Sequence, residues 1–150
     1  MRRRVPNALL ALALLLPSMV WAEWLLEIKG LASNQGQILV AVYDASGDKS
    51  WLDAPIYQIA LDASLAKNGV LTHTLAALEA GDYAVRLFHD ENNNQRLDTA
   101  ANGIPLESFA FSAQGPFTGV PTIEQAAFEV IGNAAHIELV LRHPQQRAAQ

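Results

Sequence analysis

A chain of 150 residues with no cysteine and a net charge of −5 excludes several classes before any pattern is read. Without cysteine there is no disulfide scaffold, no thiolate nucleophile, no thiolate metal site and no lipid-modified N-terminal cysteine. The acidic excess repels phosphate backbones, which makes nucleic acid a poor partner.

Residues 1–22 have the three-part layout of an export signal. Arg2, Arg3 and Arg4 form a basic start, and Leu9 to Val20 is apolar apart from Pro17 and Ser18. Val20-Trp21-Ala22 supplies the cleavage positions. An apolar run of about 12 residues falls short of the roughly 20 that span a bilayer as a helix, so no membrane anchor is expected after cleavage. The expected mature protein starts near Glu23 and is periplasmic or secreted. Losing the three arginines leaves seven basic against fifteen acidic side chains, a net charge of −8.

Trp24, Leu26 and Ile28 alternate with Leu25, Glu27 and Lys29, and beyond a Gly30 to Gly36 turn Ile38, Val40 and Val42 alternate with Leu39, Ala41 and Tyr43. A period of two predicts two antiparallel strands. Asp44 to Pro55 reads as a loop with Trp51 and Leu52 tucked inward. Ile56 to Leu61 is the next strand, and Asn68-Gly69, a pair suited to positive φ, stands before a fourth at Val70 to Leu75. The fifth alternates Tyr83, Val85 and Leu87 with Ala84, Arg86 and Phe88.

From His89 to Pro121 no strand is expected. Irregular stretches of this length in compact domains are mostly functional or disordered, and Phe109, Phe111 and Phe117 favour an ordered loop packed over one end of the domain. A short helix capped by Thr122, with Gln125 three residues on, follows. Ala126 to Ile131 and Ala135 to Arg142, around Gly132-Asn133, read as a closing hairpin. The fold expected is an all-β antiparallel sandwich of about seven strands, immunoglobulin-like or transthyretin-like, over residues 23–143, with 144–150 as a flexible tail.

The long loop carries the most distinctive pattern. Asp90, Asn92, Asn94 and Asp98 stand at relative positions 1, 3, 5 and 9, and the main-chain carbonyl of Arg96 stands at position 7. Calcium takes six to eight oxygen ligands, and calcium loops supply them at these alternating positions. Position 6, normally glycine, is Gln95; position 12, normally a bidentate glutamate, is Ala101. Glu107 replaces that glutamate if Asn102-Gly103-Ile104-Pro105 turns the chain back. The implied cofactor is calcium, in a weak structural site. The competing reading is a metal-free turn, since Asp and Asn bond readily to their own backbone.

Other chemistry has less support. His73, His89, His136 and His143 have no spacing that requires zinc or copper. Ser108 and Ser112 lack a nucleophile elbow around them. The alternative function is a metal-handling protein or hydrolase using His89 with Asp90, Asp98 and Glu107. Phe109, Phe111 and Phe117 either line a small-ligand pocket or anchor the loop, and the Ile137 to Leu141 strand is a candidate face for an envelope protein partner.

Gly81-Asp82-Tyr83-Ala84-Val85-Arg86-Leu87-Phe88-His89-Asp90-Glu91-Asn92, followed by Asn94, Leu97-Asp98, Gly103-Ile104-Pro105, Glu107 and Phe111-Ser112, closely resembles the bacterial exported family catalogued as domain of unknown function 2141. Gly30-Leu31, Gly36-Gln37, Val40-Ala41-Val42-Tyr43 and Ala126-Ala127-Phe128 extend the resemblance over nearly all of the mature chain. It implies an exported β-sandwich and no established activity. Asn93 and Gln95 depart from it, standing where members often have glycine. Leu78 to Val85 also resembles the strand start of transthyretin-like and collagen-adhesin B-type modules, where Tyr83 would serve as a corner residue bonding back to the main chain.

Overall fold

The computed structural model describes residues 23–76, 78–113, 115, 119–132 and 134–144. The expected export signal, Phe117, Asn133 and the expected tail beyond Pro144 lie outside the described residues. The described chain is all-β: two sheets of strands face each other as a sandwich. No helix among the described residues is long and apolar enough to cross a membrane.

The smaller sheet has the order β4-β1-β8, formed by Val70–Ala76, Glu23–Lys29 and Ala135–Val140. The larger has the order β3-β2-β5-β6, formed by Tyr57–Asp62, Gln37–Asp44, Gly81–Asp90 and Phe109–Phe111, and β7, Phe128–Val130, also pairs with β5. One 3-10 turn, Ala63–Leu65, follows β3. The alternation of each strand explains the layering. Trp24, Leu26 and Ile28 from β1, Ile38, Val40 and Val42 from β2, and Val85 and Leu87 from β5 meet between the sheets in one buried cluster. Burying each large side chain in that layer contributes on the order of 1.5–3 kcal/mol.

Four sequence expectations are corrected. The strands around Gly30 to Gly36 are not paired with each other: β1 pairs with β4 and β8, whereas β2 pairs with β3 and β5. Likewise β7 pairs with β5 and β8 with β1, so the expected closing hairpin is a crossing between sheets. A period of two tells which residues face the core but not whether two strands lie side by side or face each other across it. The β1–β8 pair is also parallel, so the sandwich is antiparallel everywhere else but not at this seam. Fourth, the stretch after His89 does contain a strand, the three-residue β6.

The turn chemistry holds. Asn68 and Gly69 take φ of 53° and 74° between Lys67 and Val70, which bridge each other. Thr122 and Gln125 form a reciprocal capping box on the short helix α1, Ile123–Ala126. Tyr83 Oη donates to the Glu79 carbonyl at 2.9 Å while its ring meets Trp24 edge-on, with centroids 4.8 Å apart. That is the corner role the family resemblance implied.

Candidate functional site: the outer face of the larger sheet and its loop

β5 turns Tyr83, Val85 and Leu87 toward the core and Ala84, Arg86 and Phe88 outward. Strand register places Leu39 beside Phe88, Ala41 beside Arg86, Leu39 beside Ala60, and Ala41 beside Gln58. Across β6, Phe111 sits beside Arg86 and Phe109 beside Phe88. The outer face is therefore apolar and contoured: small Ala41 and Ala60 on its floor, phenylalanines along one side.

Two structures bank this face. At one end, α1 seats Ile123 and Ala126 on Tyr43 and Ala84, and Trp51 packs on Tyr43 while its Nε1 donates to the Pro121 carbonyl at 2.6 Å. Ser112 fastens this end to β5, accepting from Val85 N at 2.8 Å and donating to the Ala126 carbonyl at 2.6 Å. Its hydroxyl thus serves as a structural clamp. At the other end stands the Asp/Asn loop.

Asp90 is fully buried at the end of β5 and organises that loop. Its Oδ1 accepts from Asn94 N at 3.0 Å, and its Oδ2 accepts from Gln95 N and Gln37 Nε2, both at 2.8 Å. Burial works to raise its pKa, but hydrogen bonds from Gln37 and from the main chain of Gln95, Asn94 and Asn93 outweigh that and hold it below the ordinary carboxylate value. Curling the chain around one carboxylate requires left-handed angles at Asn93, φ 59°, and Gln95, φ 63°. Neither residue is glycine, and the local cost of left-handed angles there is met by the Asp90 hydrogen bonds.

Successive Asx turns continue the curl. Asn92 Oδ1 accepts from Asn94 N at 3.0 Å, and Asn94 Oδ1 accepts from Arg96 N at 2.8 Å. The amide of Asn92 donates to Asp98 Oδ2 at 2.6 Å, and that of Asn94 reaches both Asp98 oxygens at 3.1 Å. Asn92, Asn94 and Asp98 thus meet at one centre. Glu107 braces the loop instead of joining them: its Oε2 accepts from Asp98 N at 3.0 Å and its Oε1 from Glu91 N at 3.3 Å. Asn102-Gly103 does turn the chain back, as Ala100 accepts from Gly103 N, Asp98 accepts from Leu106 N, and Thr99 bridges Pro105. Among the described residues no three histidine, aspartate or glutamate side chains group as a metal cluster.

The structure does not bring His89 to Asp90, Asp98 and Glu107. Adjacent strand residues point to opposite faces, and the buried His89 donates from Nε2 to the Gln35 carbonyl at 2.7 Å, with Nδ1 3.7 Å from Glu91. The other histidines are scattered. His73 and His136 flank β1 opposite Leu26 and Leu25, on opposite faces of the sheet. His143 joins the Gly30 carbonyl to the Ser108 hydroxyl. The Ile137 to Leu141 face is core, since Ile137, Leu139 and Leu141 are buried, although β8 itself is an edge strand.

What the sequence reading missed is the floor of the outer face. Its signal was present: Ile38-Leu39-Val40-Ala41-Val42-Tyr43 is apolar at both parities, the mark of a strand covered on both faces.

With that geometry in view, comparison with known proteins gives one match. A family model described as an uncharacterized protein conserved in bacteria, domain of unknown function 2141, matches residues 26–138. The chain belongs to this family. No curated protein and no solved structure matches it. The matched span runs from inside β1 to inside β8 and so includes both sheets, the Asp/Asn loop and α1.

Proposed function

We propose that this family member is an exported, non-catalytic binding module in which the loop from Asp90 to Glu107 is a weak calcium site of structural role. The observation that carries this reading is the convergence of Asn92, Asn94 and Asp98 on one centre, in a loop curled about Asp90. Support also comes from the left-handed angles at Asn93 and Gln95, the fourth and sixth loop positions, which let side chains two apart turn inward. An ion at that centre would replace the two amide donors now facing Asp98, with the Asn92 and Asn94 oxygens turning to it from the Asn94 and Arg96 N–H groups they now accept from. Export is supported by the basic and apolar segments before Glu23.

Thermal unfolding in chelator and then in calcium tests the proposal. With a dissociation constant near 1 mM, 10 mM calcium adds about 1.4 kcal/mol, a rise in Tm of roughly 5 °C. Asp98→Ala should abolish the rise. An equal rise with magnesium, or none with calcium, contradicts the calcium reading.

A further inference from the structure

The outer face encloses a cavity of about 810 Å³, within the roughly 300–1,000 Å³ range of small-molecule sites. Its floor is Leu39, Ala41 and Ala60, and its walls include Phe88, Phe109 and Phe111. The Asp/Asn loop closes one side with Leu97, Ile104 and Pro105. Leu97 and Ile104 are exposed to solvent, and neither belongs to the buried clusters between or beside the sheets. Side chains of this kind on a contoured surface favour an apolar occupant.

One lining residue sets the polarity of that occupant. Arg86 is the only charged residue among the described residues that line the cavity. Among the described residues its guanidinium lies 5.0 Å from the Tyr43 ring and 5.7 Å from the Trp51 ring, and no carboxylate pairs with it. The two rings hold the guanidinium without neutralising it, and no carboxylate among the described residues competes for its N–H groups, which an anionic group can engage. Gln58, next to Ala41 in the register, adds an amide at the same level.

We infer that this groove binds a small amphipathic monoanion, an apolar chain or ring body carrying one carboxylate or phosphate head that docks on Arg86. The body lies over Ala41 and Ala60 between Phe88 and Phe109. The acidic surface gives no long-range attraction to an anion, so the apolar body supplies most of the affinity and Arg86 the selectivity. This goes beyond the calcium reading and stands if the loop takes no calcium.

The test is displacement of bound 1-anilinonaphthalene-8-sulfonate, itself an aromatic monoanion, followed by fluorescence. Competitors are dodecanoate, dodecyl phosphate and dodecanol, each below its micellar concentration. Dodecanoate, dodecyl phosphate or both should displace the probe at concentrations at least tenfold lower than dodecanol, and whichever is stronger identifies the head. R86Q should bring the anions to within about threefold of dodecanol. A41W, which fills the floor, should abolish displacement by all three. R86Q alters a half-buried outward side chain and decides the question by itself if A41W does not fold. Equal displacement by dodecanol and the anions in the native protein overturns the inference, as does an anion preference that survives R86Q or a failure of every competitor to displace the probe.

Discussion

The two faces of β5 put the same strand to different uses. Val85 and Leu87 disappear into the layer between the sheets, where their neighbours are aliphatic and aromatic on every side. Arg86 and Phe88, one residue along, stand on an outer face whose apolar side chains remain only half buried. The inner face is buried and holds the fold; the outer face keeps a cavity, a cation with no carboxylate partner among the described residues and a polar loop at its rim. Substitution on the inner face should therefore unfold the protein, and substitution on the outer face should change what it binds.

Leu87→Ala is the strongest challenge to that division. It should cost about 2–5 kcal/mol in chemical denaturation, whereas Phe88→Ala, with a half-buried ring, should cost about 1 kcal/mol and weaken probe binding. Equal costs would break the comparison. Asp90 lies where the strand meets the loop, and Asp90→Asn should cost about 2 kcal/mol, since an amide nitrogen cannot accept the bonds that one carboxylate oxygen receives. Because the folded pKa of Asp90 is lowered, its contribution is present above the unfolded value of about 3.9 and lost as pH falls through the folded one. Denaturation midpoints of the native protein should fall below about pH 4, with a shallower fall in Asp90→Asn. Tyr83→Phe, which removes only the corner hydrogen bond to Glu79, should cost about 1 kcal/mol by the same measurement. Smallest of all, Arg86→Gln should cost only about 0.5 kcal/mol, since it removes the contacts with the Tyr43 and Trp51 rings and no ion pair among the described residues depends on it.

Much of this was legible in the residues. Alternation identified β1, β2 and β5, while β3 and β4 stood out as apolar runs beside turn signals; Asn68-Gly69 and the Thr122–Gln125 cap announced their roles through local chemistry that needs no distant partner, and the corner role of Tyr83 came from the resemblance. Pairing was not legible, since Ile28 and Ile38 face the same core from opposite sheets and alternation reads identically either way. β6 escaped because it has three residues and reverses the usual pattern, turning Phe109 and Phe111 outward and Ala110 inward. In the loop, the Asn92 and Asn94 amides bond to Asp98, three of the residues the alternating spacing singled out. That spacing did not place Gln37, fifty-three residues away in sequence, on Asp90, or show that Glu107 bonds to main-chain N–H groups.

The central claim is that the outer face of the larger sheet is the binding surface. Amide proton–nitrogen NMR spectra of the protein titrated with dodecanoate test it most directly. Progressive shifts should gather at Leu39, Ala41, Ala60, Phe88 and Leu97 and leave β1, β4 and β8 undisturbed; shifts concentrated on those three strands, or none at saturating ligand, would contradict it.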